Sequence, residues 1–225
     1  SLVHGPNGRF VSACGDGEYV IYTALAWRNK AFGAALDFGW SVDSSEFAVR
    51  ESPSKIKVFN QFKEKTSFRP HFAVEGLHGG TLMGLRSTDF ICFYDWAESR
   101  VIRRIDVAVK DVWWSEATDL VAIASEASFF ILRYNAQATV AAFENGNVDE
   151  SEGVENAFEL LAEVGETVRT AVWVGECFIY NNTDWRLNYC VGGEVTTIFH
   201  LDRPMYLLGY LAAQNRVYLI DKDFS

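Results

Sequence analysis

Proline is scarce, at four residues in 225, and no Pro-rich linker interrupts the chain. Histidine is equally rare: His4, His71, His78 and His200 form no H-E-x-x-H or comparable spacing, so no metal site is expected from them. The four cysteines, Cys14, Cys92, Cys177 and Cys190, contain no C-x-x-C and are expected to be reduced, buried small hydrophobes. Apolar runs are short. The longest, 205–211, is far below the ~18 residues a membrane helix needs. The opening residues Ser-Leu-Val-His-Gly-Pro lack the charged and apolar regions of a secretory leader, the pattern expected of a cytoplasmic chain. Positive charge is in deficit, with 20 Lys and Arg against 30 Asp and Glu, a net charge of −10. Such a surface repels phosphate backbones, so nucleic acid is not an expected partner, whereas basic tails are.

Aromatic residues are plentiful, with 17 Phe, 9 Tyr and 7 Trp. Large flat side chains pack well on pleated surfaces and tilt the fold towards β. The main organising signal is a repeated hairpin. Asn7-Gly8 reads as a turn into a strand from Phe10, Gly15-Asp16-Gly17 as a second turn, and Tyr19 to Tyr22 as the return strand. The same 12-residue spacing recurs over 10–22, 47–59, 82–94, 120–132, 177–189 and 208–220. The closing residues Tyr22, Phe59, Tyr94, Leu132, Tyr189 and Ile220 lie 37, 35, 38, 57 and 31 positions apart.

Intervals near ~40 residues with four short strands per unit are those of propeller blades. Segments 35–41, 107–115 and 168–174 fall where inner strands belong, and 30–33, 100–105 and 195–200 where outer strands belong. A β-sandwich also has short strands at regular spacing, but the repeated turn position favours the propeller. The long interval holds an acidic insertion, 145–157, read as a surface loop through Glu152 with a helical turn over 154–157 before the next strand. The stretch from Gly153 to Val164 also fits helical spacing at Val154, Phe158 and Leu161. The expected fold is therefore all-β: a partial β-propeller over 1–225, of four-stranded antiparallel blades in an incomplete ring.

Residues 6–17, Pro-Asn-Gly-Arg-Phe-Val-Ser-Ala-Cys-Gly-Asp-Gly, look like the middle of a WD repeat. Tyr94-Asp95 and Ile220-Asp221 stand where that family keeps Trp-Asp. The other units have Tyr22-Thr23, Phe59-Asn60, Leu132-Arg133 and Tyr189-Cys190 there, departing from the usual hydrogen-bond network. Longer stretches, 15–28, 89–96, 188–197 and 200–211, closely resemble the coatomer beta-prime family, in the second of its two WD-repeat propellers. The resemblance covers essentially the whole chain and weakens over 60–80 and in the acidic insertion. It implies seven blades in the parent, of which about five to six are present here. It also implies a role in the COPI vesicle coat, in Golgi-to-ER and intra-Golgi transport. Other coatomer subunits, especially alpha, would be partners, with peripheral association to Golgi membranes through the coat. No cargo-binding residue carries over.

Nothing in the chain assembles a catalytic constellation. Gly76-Leu77-His78-Gly79-Gly80 resembles a hydrolase oxyanion loop, but no G-x-S-x-G accompanies it, and the repeat register reads it as a turn. Asp37, His71 and Arg169 fall on expected inner strands without forming a matched set. Asp149, Glu150, Glu152 and Glu155 lack the loop spacing of a Ca²⁺ site. Asn181-Asn182-Thr183 matches a glycosylation sequon that a cytoplasmic chain would leave unused. No catalytic, cofactor-binding or metal residue is therefore assigned, and no cofactor is expected. The seven Trp, at 27, 40, 96, 113, 114, 173 and 185, are expected mostly in cores, with one or two marking a partner surface. The expected function is a non-enzymatic scaffold. The alternatives are a WD-repeat interaction scaffold outside vesicle traffic and a propeller hydrolase.

Overall fold

The computed structural model describes residues 1–223. Its strands form antiparallel sheets in chain order, each strand pairing with the next. The first sheet is β1 (Leu2–His4), β2 (Phe10–Gly15), β3 (Glu18–Thr23) and β4 (Asn29–Ala34). The second is β5 (Asp37–Trp40), β6 (Glu46–Ser52), β7 (Lys55–Asn60) and β8 (Lys63–Phe68). The third is β9 (Gly76–His78), β10 (Met83–Arg86), β11 (Ile91–Tyr94) and β12 (Val101–Ile105). The fourth is β13 (Asp111–Trp114), β14 (Leu120–Ala124), β15 (Phe129–Tyr134) and β16 (Phe158–Val164), with helix α1 (Ala136–Glu144) before its last strand. The fifth is β17 (Val168–Val174), β18 (Cys177–Asn182), β19 (Arg186–Val191) and β20 (Glu194–His200). The sixth has two strands, β21 (Met205–Leu211) and β22 (Arg216–Asp221). The all-β class and the four-stranded blades agree with the sequence. Local turn chemistry explains why: Asp16 and Gly17, with φ of 54° and 82°, form the two-residue turn that matches the twist of β2 and β3.

Two compact units divide the chain: Ser1–Ala108 with Thr139–Glu155, and Val109–Ala138 with the chain from Asn156 on. In the first unit the cores lie between successive sheets. Cys14, Tyr19 and Ile21 pack on Trp40, Phe47 and Val49, and Trp40 Nε1 donates to Ser12 Oγ at 3.1 Å. Ala48, Ile56 and Val58 pack on Leu77, Met83, Leu85 and Cys92. The inner strands β5 and β9 approach so closely that a Cβ on Gly79 would lie 2.2 Å from Trp40 O, and one on Gly39 2.7 Å from Gly79 N. Glycine is needed at both positions because only it lets two backbones meet there. In the second unit, Ala122, Phe129 and Ile131 pack with Phe178, Tyr180 and Cys190, and Trp173 Nε1 donates to Trp113 O at 2.8 Å. Leu207 of β21 closes a further core with Ile179 and Leu187.

The structure departs from the sequence reading in four places. Gly76–His78 is the inner strand β9 rather than a turn, and only 79–82 connects it to β10. His71 lies in the loop before β9, not on an inner strand. The helix occupies Ala136–Glu144 and not 154–157, where Val154 and Ala157 are buried in a turn. Asn135 Oδ1 caps this Ala-rich helix by accepting the Ala138 N–H at 2.9 Å, and Gly146, at φ 69°, ends it. Finally, the 208–220 hairpin has another place in its sheet. Strand β21 follows the outer strand β20 and lies against the inner strand β17, so β21 and β22 are first and second strands. The other five hairpins are second and third.

Candidate interaction surface

The charged groups on inner strands are consumed locally. Arg50 Nε donates to Asp37 Oδ2 at 2.6 Å and Arg50 Nη1 to Val74 O at 3.1 Å. The Arg169 guanidinium lies 4.5 Å from the Trp185 ring centre. His78 is held to a pKa of about 4, first by burial and second by the nearby Arg86 guanidinium. It is therefore neutral at physiological pH. In the insertion, Asp149 also has internal partners: its Oδ1 accepts from Ser151 N, Ser151 Oγ and Glu152 N, bonds that lower its pKa. Among the described residues no His, Cys, Asp or Glu group converges as a metal ligand set.

Other polar residues tie strands together. Asp95, at the Trp-Asp position, accepts the Arg100 N–H at 2.7 Å and pairs with its guanidinium at 2.8 Å, closing the β11–β12 turn. Asp221 ends a second strand and pairs with Arg203 at 2.8 Å. The sequon residue Asn181 is fully buried. Its Oδ1 accepts from Thr170 N and Oγ1, and its amide donates to Met205 O, anchoring β21. Glu166 Oε2 gathers Tyr180 OH at 2.8 Å and Asn188 Nδ2 at 3.0 Å. Burial, then this carboxylate, raises the Tyr180 pKa. Neither hub has a sequence signature, because each joins residues from different strands.

What remains for recognition is the surface. Of the seven Trp, Trp40 and Trp96 are buried, Trp113, Trp114, Trp173 and Trp185 are partly buried, and Trp27 is 60% exposed. Trp27 sits with the fully exposed Leu25 in the β3–β4 loop. That loop is fixed by Trp27 N to Thr23 O at 2.9 Å, Thr23 N to Arg28 O at 2.9 Å and Ala24 N to Arg9 O at 2.8 Å. An ordered, exposed Trp is the kind of side chain that anchors interfaces. A second feature is the acidic segment. It runs along the outer edge of β12, where Val154 N donates to Ile102 O at 2.7 Å and Arg104 N to Glu152 O at 3.0 Å. This leaves Glu144, Asp149, Glu150, Glu152 and Glu155 in solvent.

A family model described as the COPA/B second beta-propeller matches residues 1–221. The chain belongs to the COPA/B second beta-propeller family. Along its whole length it is 64% identical to coatomer subunit beta'-1 of Arabidopsis thaliana and 63% to coatomer subunit beta'-1 of Oryza sativa subsp. japonica. Identity to coatomer subunit beta' of Rattus norvegicus is 53%. The chain spans 24% to 25% of the length of these curated relatives. A chain of the mitotic checkpoint complex crystal structure matches with a TM-score of 0.64 at 14% identity, over 97% of this chain and 73% of that one. That likeness is one of fold alone. The COPA/B assignment agrees with the blade architecture.

Proposed function

We propose that this chain is a non-enzymatic propeller module of the COPI vesicle coat, acting in Golgi-to-ER and intra-Golgi transport. The observation that carries this reading is whole-length identity of 53% to 64% with proteins named coatomer subunit beta'. The site chemistry supports it. Asp37, Arg169 and Asp149, the charged groups weighed for chemistry, are bound into structural contacts. The partners are other coatomer subunits, alpha above all, and the setting is the cytoplasmic face of Golgi membranes and coated vesicles. Among the described residues no helix is long and apolar enough to cross a membrane, so attachment would come through the assembled coat. The acidic segment and the net charge of −10 suit weak contacts with basic cargo tails.

The test is affinity purification of the complete parent polypeptide from cells. Recovery of the remaining coatomer subunits in stoichiometric amounts is the expected result. Recovery of an unrelated assembly without them would assign the chain to another scaffold. For cargo, binding of a dilysine peptide should weaken as salt rises from 50 to 300 mM, values bracketing the ~8 Å Debye length of physiological salt. Salt-independent binding would remove the electrostatic reading.

A further inference from the structure

The exposed Leu25 and Trp27 lie among cations that have no carboxylate partner. Arg9, Arg28, Lys30 and Lys63 are all exposed, and none forms an ion pair among the described residues. They gather at one end of the first two sheets. Ala24 N donates to Arg9 O, Thr23 N to Arg28 O, Lys30 Nζ sits 5.1 Å over the Phe62 ring, and Phe62 packs on Phe10 at 4.9 Å. Lys63 directly follows Phe62. Of the nearby carboxylates, Glu46 pairs with Lys65 at 2.7 Å and Glu64 with Lys57 at 3.8 Å, while Asp43, held by Ser41 and Ser45, stays ionised and is outnumbered by the four cations. A chain with ten more acidic than basic residues thus carries a local basic patch around two protruding apolar side chains.

We infer that this patch, Leu25 and Trp27 rimmed by Arg9, Arg28, Lys30 and Lys63, is a docking site for an acidic extended protein segment bearing an aromatic or leucine anchor. The backbone that presents the anchors is set in advance. Trp27 takes a left-handed φ of 51°, and three main-chain bonds and the Arg28 N–H to Thr23 Oγ1 bond hold the loop. Such preorganisation lowers the ordering cost of binding. Its ring lies 6.0 Å from that of Tyr22, which leaves a face open to a partner. The sign of the rim selects an acidic ligand, and the size of the patch selects a narrow one. A segment meets only the local cations, because charges beyond about 8–10 Å are screened. A flat anionic bilayer would also meet the surrounding acidic surface. This inference does not rest on the coat reading.

The experiment uses the complete parent polypeptide and a fluorescein-labelled peptide of alternating Glu and Asp with a central Trp and Leu. Saturable binding is expected. Replacing the peptide's Trp and Leu with Ser should weaken it about fivefold or more. In the protein, Leu25→Ser with Trp27→Asn should weaken binding about tenfold, Asn being chosen because it tolerates positive φ. Arg28→Glu with Lys30→Glu should also weaken it about tenfold and flatten its salt dependence. Both double variants change exposed side chains, and an unaltered melting curve would show that the fold is kept. Equal binding by wild type and both variants would overturn the site, as would no binding up to millimolar peptide. Stronger retention on phosphatidylserine vesicles than on the peptide, lost in the same variants, would overturn the choice of partner in favour of a lipid surface.

Discussion

At the scale of single residues, the polar groups that matter are buried and serve the fold. His78 illustrates the consequence for pH. Its pKa is about 4 in the folded chain, below the ordinary 6.5, so the unfolded chain binds the extra proton between these values. Stability carried by the neutral imidazole is complete above pH 6.5 and is lost as pH falls towards 4. Urea unfolding at pH 7 and pH 4.5 should therefore differ more for wild type than for His78→Leu. The excess should be on the order of 2–3 kcal/mol. An equal pH dependence in both would show that His78 does not control it. Glu166 makes the second case. Glu166→Ala removes the acceptor for Tyr180 OH and Asn188 Nδ2, and should cost about 1–3 kcal/mol. Tyr180→Phe in the Ala background should recover part of that loss, because it removes the stranded hydroxyl. These hubs were not legible in the sequence. Asn181 matched a sequon there, and only burial and its bonds to Thr170 and Met205 show what it does.

At the scale of elements, the outer edges of the sheets are treated differently from one another. Strand β8 carries Lys63, Glu64 and Lys65, whereas β12 is covered by the insertion. Charges and coverage are two ways to keep an edge from pairing with foreign strands. Gly153 makes the coverage possible. It has φ 82°, and a Cβ there would lie 2.3 Å from Ile102 O. Gly153→Val should therefore lift the segment from β12 and destabilise the protein by about 1–3 kcal/mol. Hydrogen exchange would show lost protection at Arg104 and Val154, and unchanged protection there would refute the coupling. The insertion looked like a free loop in the sequence because its partner strand lies some fifty residues upstream. The inner strand β9 escaped for a related reason. At three residues, two of its neighbours glycine, it offers almost no alternation to read. Gly79, just after it, answers to the backbone of β5 at Trp40, a contact between strands that no local pattern encodes.

At the scale of the whole molecule, apolar residues remain uncovered on several sheets, the first and sixth among them. Phe32 and Leu2 are exposed on the first, and Tyr206, Leu208 and Tyr218 on the sixth. Exposed apolar area of this kind marks contact surfaces or aggregation sites. Residues 1–225 expressed alone should bind an apolar-sensitive dye and self-associate at micromolar concentrations, whereas the complete parent polypeptide should do neither. A monomeric, dye-silent 225-residue chain would show that these side chains are accommodated without further partners. The cores between sheets also predict how damage spreads. Within each unit neighbouring blades rest on one another, so losing one interface should weaken the adjoining blade of that unit first.

The sequence by itself determined the all-β class and the antiparallel blades. These follow from short-range physics: tight turns, one of them the positive-φ pair Asp16-Gly17, apolar residues on strand faces, and strands paired with their immediate neighbours in sequence. It also picked out Trp as the residue type to search for a partner surface. Only the tertiary structure decided which Trp is exposed, that 208–220 is a first-and-second-strand pair, and that an acidic loop covers β12. The reason is the same in each case. Alternation shows that a strand has two faces and two edges, but what covers each face and edge depends on residues distant in sequence, and burial is settled only when they meet.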